Sequence, residues 1–146
     1  MTSQVRGMRQ EDREAVLSMM REFYASPAVY TCGSEEIFCR DIDACLSGSP
    51  YLEGFVIESE NEIAGYAMIA KSFSTEFGKP CIWIEDLYLK EAYRARGLGN
   101  LFFDYLTARY TDCIFRLEVE DENESAIRLY EKRGFTVLPY KEMKAE

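Results

Sequence analysis

Apolar residues change their spacing several times along the 146-residue chain, and each change marks an element. Val16, Leu17, Met20, Phe23 and Tyr24 fall at intervals of three and four, the face of a helix, with Arg13 at its start. Gln10-Glu11-Asp12 put acidic side chains beside its first, unpaired amides, and Pro27 closes it. A second helix is predicted from the cap Ser34 to about Leu46, with Ile37, Phe38, Ile42 and Leu46 inward and Ser47-Gly48-Ser49-Pro50 as its stop. Short β-rich runs follow at 55–58 and 63–70, a hairpin about a turn at 59–62. A loop over 72–80 leads to a strand over 82–89, where β-branched and aromatic residues crowd into a run too short for a free-standing helix. From Leu98 the period is helical again, with Leu98, Leu101, Phe102, Tyr105 and Leu106 on one stripe. A strand over 115–119 and a capped helix over 123–135 come next, and 136–138 with 140–144 end the pattern as one strand or a pair split by Pro139. With a short strand near 3–8, the chain reads as a single α/β domain over 1–146, without linker or repeat.

The connection between the strand over 82–89 and the helix at Leu98 carries chemistry as well as a change of period. It holds Arg94, Arg96, Gly97 and Gly99, and residues 90–100 carry three basic side chains against one acidic. Glycine lets a backbone approach a ligand closely, and the first amides of a helix have no partner and sit at the positive end of its dipole. The turn is therefore built for an anion. A dinucleotide fingerprint needs a third glycine where Phe102 stands, and a Walker loop needs Gly-Lys-Ser/Thr, which the chain lacks.

Arg94-x-x-Gly97-x-Gly99 resembles the Gln/Arg-x-x-Gly-x-Gly/Ala motif of the GCN5-related N-acetyltransferases (GNATs), which holds the pyrophosphate of acetyl-CoA. A second stretch matches in the right order. After the strand over 115–119 come Asn123 and then Ala126, Leu129, Tyr130, Gly134 and Phe135, at the spacing of the family's Asn and Ala-x-x-Leu-Tyr-x-x-x-Gly-Phe. The resemblance implies a central mixed, mostly antiparallel twisted sheet of roughly six to seven strands flanked by about four helices. It implies acetyl-CoA as cosubstrate, bound by Leu87, Tyr88 and Leu89, by Arg94, Ala95, Arg96, Gly97, Leu98, Gly99 and Asn100, and by Asn123, Ser125, Tyr130 and Lys132.

Composition narrows the chemistry. An apolar fraction of 47% beside 29% charged residues fits a soluble protein, and no apolar run approaches a membrane span. The first residues lack an apolar signal core, which points to the cytoplasm. Five cysteines, odd in number and without Cys-x-x-Cys spacing, read as reduced thiols; with no histidine, neither a metal site nor a Ser-His or Cys-His nucleophile pair is expected. A net charge of −9 argues against nucleic acid and suits a cationic substrate equally with simple solubility. The stretch over 116–124 has a net charge of −4 and reads as a solvated loop before the helix at 123.

Acetyl transfer to an amine needs a base for the incoming ammonium and an acid for the departing thiolate. Glu85 and Asp86 lie mid-strand, where neighbouring side chains point to opposite faces, so one of them faces the cleft. In acetyltransferases of the diamine type a Glu-Asp pair precedes the loop arginine by the interval that separates Glu85 from Arg94; the resemblance thus implies Glu85 as base, through water, with Asp86 recognising the amine. By helix geometry Tyr130 is a core aromatic; the resemblance gives it the acid role. Tyr30, in an aromatic loop between the first two helices, belongs to the region that builds the acceptor site in the family. The function expected is acetyl-CoA-dependent N-acetylation of a small-molecule primary amine by direct attack, in a monomer or homodimer. The alternatives are a protein lysine or N-terminal acetyltransferase and a non-catalytic CoA-binding module.

Overall fold

Five strands stand in chain order in one sheet of the computed structural model, which describes residues 2–146. β1 (Ser3–Gly7), β2 (Leu52–Ser59), β3 (Glu62–Ser74) and β4 (Lys79–Leu89) run antiparallel, and β5 (Ile114–Leu117) lies parallel to β4 at the edge. Helices α1 (Arg13–Tyr24) and α2 (Glu35–Leu46) cover one face; α3 (Leu98–Arg109) and α4 (Glu124–Lys132) cover the other. A parallel pair cannot be closed by a tight turn, and α3 supplies the crossover from β4 to β5.

Each face has its own core. Val16, Met20 and Ile42 meet Val56, Tyr66 and Met68 on the α1/α2 side. Phe102, Phe103 and Leu106 meet Phe55, Ile57 and Ile69 on the α3 side. Each fully buried side chain of this kind contributes about 1.5–3 kcal/mol. A buried ion pair ties the first strand to α1: Arg6 reaches both oxygens of Asp12 at 2.7 and 2.9 Å, and Asp12 also accepts the amide of Arg9 at 2.7 Å. Ser34 caps α2 as expected, accepting the Ile37 amide at 3.2 Å.

The expected sheet is too large by one or two strands. After α4 the chain forms none, because Pro139 has no N–H to donate and the segment is held by side chains instead. The Tyr140 hydroxyl donates to Glu76 at 2.5 Å beside the β3–β4 hairpin, and Val137 is left 96% exposed. The loop expected over 72–80 is mostly strand, since β3 continues to Ser74 and β4 starts at Lys79. Ile37, expected in the core, faces solvent, whereas Phe103, off the predicted stripe, is buried. The β2–β3 turn places Glu60 and Asn61 at φ 55° and 66°, the left-handed pair that matches the twist of a two-residue hairpin.

Candidate functional site

The connection after β4 builds a concave run of main-chain amides. Ala95 and Gly97 both adopt left-handed conformations, φ 60° and 80°, separated by one residue, which turns successive N–H groups toward the same side. Gly97 is the N-cap of α3 and carries no side chain, so the amides of Leu98, Gly99 and Asn100 keep no intrahelical acceptor; the first helical bond runs from Leu101 to the Gly97 carbonyl. Gly99 admits α4, since a Cβ there would stand 2.7 Å from the Leu129 side chain. Arg94 donates to the Leu89 carbonyl at 2.9 Å and lies over the Tyr88 ring. Its charge is thereby fixed at the end of the strand.

Beside this turn the sheet opens. β4 and β5 are paired only from Cys81–Ile114 to Ile84–Leu117, while β4 continues five residues further. Over 85–89 its β5-facing edge lacks a strand partner, a row of peptide groups open to an extended ligand except for the Leu89 carbonyl, which accepts from Arg94. The cleft so formed measures about 680 Å³.

A bulge decides where the two carboxylates point. Met68 pairs with Asp86 and Ile69 with Ile84, which leaves Glu85 as an extra residue on β4. The alternation of side chains slips there: Ile82 and Ile84 pack on the α3 side, and so do Leu87 and Leu89. Asp86 turns to the α1/α2 side, where it accepts the hydroxyls of Tyr24 at 2.8 Å and Tyr66 at 2.7 Å. Glu85, one step from Ile84, takes that side too. The expectation that the pair points to opposite faces is therefore corrected: the bulge sends both carboxylates to the same face.

Most residues singled out in the sequence meet here. Glu85, Leu87, Tyr88, Leu89, Arg94, Ala95, Gly97, Leu98, Gly99, Asn100, Asn123, Ser125 and Tyr130 line the cleft. Arg96 does not; it lies over the Tyr93 ring. Lys132 is also outside, and Tyr30 is 90% exposed and touches neither cavity. Asn123 stands at the N-cap of α4, yet its side chain makes no capping bond and stays available to the cleft. Ser26, Pro27 and Ala28 close the cleft from the end of α1; they open the loop over 26–33 that the resemblance ties to the acceptor site. Asp86 belongs instead to a smaller cavity of about 280 Å³ that shares Glu85 with the cleft.

The electrostatics follow from burial among like charges. Desolvation, then the charge of Asp86, raises Glu85 above the ordinary carboxylate range. Burial raises Asp86, although the two tyrosine hydroxyls counter it. Tyr130 packs edge-on to Phe103, its ring also against Phe135, and burial alone pushes its phenol up to about 12. Glu118, at the cleft mouth, is pushed up to about 7, first by a hydrogen bond with the Glu142 carboxyl and then by burial. The site thus offers an anion cradle, a strand edge, a weakened acid and three carboxylates that hold protons more tightly than usual.

The model of the acetyltransferase (GNAT) family matches residues 15–135. The chain belongs to the GNAT family. Among curated proteins it is 29% identical over 94 residues to the L-ornithine N5-acetyltransferase NATA1 of Arabidopsis thaliana, covering 61% of this chain and 41% of that one. It thus spans less than half the length of that relative. Solved structures share the GNAT fold end to end. A possible acetyltransferase from Clostridium difficile 630 superimposes with a TM-score of 0.82 at 18% identity, over 100% of this chain and 98% of its own. A Clostridium acetobutylicum structure solved with acetyl-CoA gives 0.77 at 17%, over 98% and 96%.

Proposed function

We propose that this GNAT protein transfers the acetyl group of acetyl-CoA to a primary amine of a small molecule, of the diamine type, by direct attack on the thioester. The observation that carries the reading is the convergence of the amide-rich turn, the free edge of β4, Glu85 and Tyr130 on one cleft. The donor fits that cleft by its chemistry. A diphosphate needs unpaired amides and fixed positive charge, which residues 94–100 offer, and an amide-bearing arm needs strand-like partners, which residues 85–89 offer. The name of the Arabidopsis relative, an enzyme of an amine nitrogen, supports the acceptor class. We place the activity in the cytoplasm.

The proton inventory assigns the roles. An alkylamine arrives as an ammonium of pKa near 10.4 and cannot attack until it has lost a proton. Glu85 takes that proton through water. The free nitrogen attacks the acetyl carbon, the C–S bond breaks, and Tyr130 protonates the leaving sulfur. The new amide nitrogen sheds its second proton. Of the two protons lost, one restores Tyr130 and one leaves with solvent. No acetyl-enzyme forms on this route.

The test is to incubate the protein with acetyl-CoA and a panel of alkylamines, diamines, amino acids and lysine peptides, following CoA release by mass spectrometry. Release with free amines is expected. Release with peptides alone would overturn the small-molecule reading, and binding of acetyl-CoA without release would overturn the enzyme.

A further inference from the structure

The smaller cavity opens on the reacting end of the cleft, because Glu85 lines both. Its wall carries three carboxylates, Asp41, Glu85 and Asp86, and no basic side chain. Around them lie Tyr24, Tyr51 and the apolar surfaces of Leu52, Met68 and Ala70. Among the described residues none of the three carboxylates enters an ion pair, whereas Asp12, Glu53 and Glu58 each do. The two oxygens of Asp86 are already occupied by Tyr24 and Tyr66. Asp41, on α2, is half-buried with no positive neighbour, and desolvation followed by the charges of Asp86 and Glu85 pushes it up to about 6. Such a wall lacks a cation, and the acceptor is the reactant able to bring one. Its apolar stretch suits an alkyl chain between two charged ends.

We propose that this cavity receives the second ammonium of a dicationic acceptor and that Asp41 is the residue that selects it. The inference rests on the reading that the acceptor is a free small-molecule amine. The reacting nitrogen stays at Glu85, the methylene chain lies along Met68 and Leu52, and the distal ammonium pairs with the Asp41 carboxylate. Asp86, held by its two tyrosines, adds a fixed negative field without moving.

The experiment compares kcat/KM for a series of α,ω-diamines with n-alkylamines of the same length, using the full chain and saturating acetyl-CoA. A hydrogen-bonded charge pair predicts a preference for the diamine of about ten- to hundredfold. Asp41→Asn, close in shape, brings the ratio near unity by lowering the diamine value. Asp41→Glu keeps a preference and shifts the best diamine to a shorter chain, which a merely structural aspartate would not do. Equal use of diamines and monoamines by the wild type overturns the inference while leaving the proposed function intact. So does an Asp41→Asn variant that slows both substrates in proportion. Absence of acetylation of every amine overturns the proposed function itself, and this inference with it.

Discussion

Replacing Tyr130 by Phe removes one hydroxyl and leaves the ring between Phe103 and Phe135, so it separates packing from proton transfer. Burial, with no hydrogen bond, sets this phenol at about 12. Losing a hydroxyl with no protein partner changes stability by less than about 0.5 kcal/mol. Tyr130→Ala, by contrast, empties the ring site and costs about 3–5 kcal/mol. Against a thiolate near 8.5, a phenol at about 12 donates uphill by about 3.5 units, or about 5 kcal/mol. It helps only while charge accumulates on sulfur, which puts the loss of kcat in Tyr130→Phe near the lower end for general acids, about a hundredfold. The assay is steady-state turnover beside calorimetric binding of acetyl-CoA, which stays within about threefold. A thioester with a more acidic leaving thiol needs no acid, and with it the gap between Phe variant and wild type closes. Wild-type kcat in Tyr130→Phe, or a gap that persists with the activated thioester, refutes the assignment.

Other perturbations test other parts of the account. Glu85→Gln removes the base, and turnover at neutral pH falls by about 10²–10⁴-fold. The pH profile of the variant moves up toward the amine's own pKa near 10.4, and an unmoved profile argues against Glu85. Asp12→Ala removes two of the charged hydrogen bonds of Arg6 and leaves it Glu58 at 3.0 Å, and chemical denaturation should show a loss of about 1.5–3 kcal/mol. Arg6 holds Asp12 below the usual carboxylate range, so this contribution is present above the unfolded value near 3.9 and disappears as pH falls through the lower folded one. The Asp12→Ala variant should therefore lose less stability in acid than the wild type. Gly65→Ala would set a methyl 2.2 Å from the Tyr88 carbonyl oxygen. β3 and β4 must part at the cleft, which lowers stability by about 1–3 kcal/mol and weakens acetyl-CoA binding, read by calorimetry.

The sequence made the turn and its flanking elements readable because glycine, arginine and helical spacing fall together over 94–106. It hid the bulge only from a strict rule of alternation. Ile82 and Ile84, then Leu87 and Leu89, are two period-two runs out of phase by one residue, and the slip lies at Glu85 and Asp86. Asp41 also left a trace: it stands three and four residues from Phe38 and Cys45, inside the inward stripe that ends near Leu46. The role of a carboxylate there is not legible in the local sequence, because the neighbours that give it meaning, Glu85 and Asp86, come from β4. The tail beyond α4 misled for the opposite reason. Val137, Leu138 and Tyr140 have strand-forming side chains, but propensity does not supply a neighbouring strand, and Pro139 removes a donor.

The most direct test of the central claim is the mass of both partners after reaction. The protein is mixed with acetyl-CoA alone, then with an α,ω-diamine added, and the intact chain and the small amine are weighed. The account predicts an unmodified chain in both samples and, in the second, one acetyl group on the diamine with one CoA released. A chain that carries the acetyl group before the amine is added, and passes it on, contradicts direct attack; an amine that stays unmodified while acetyl-CoA is bound contradicts the function.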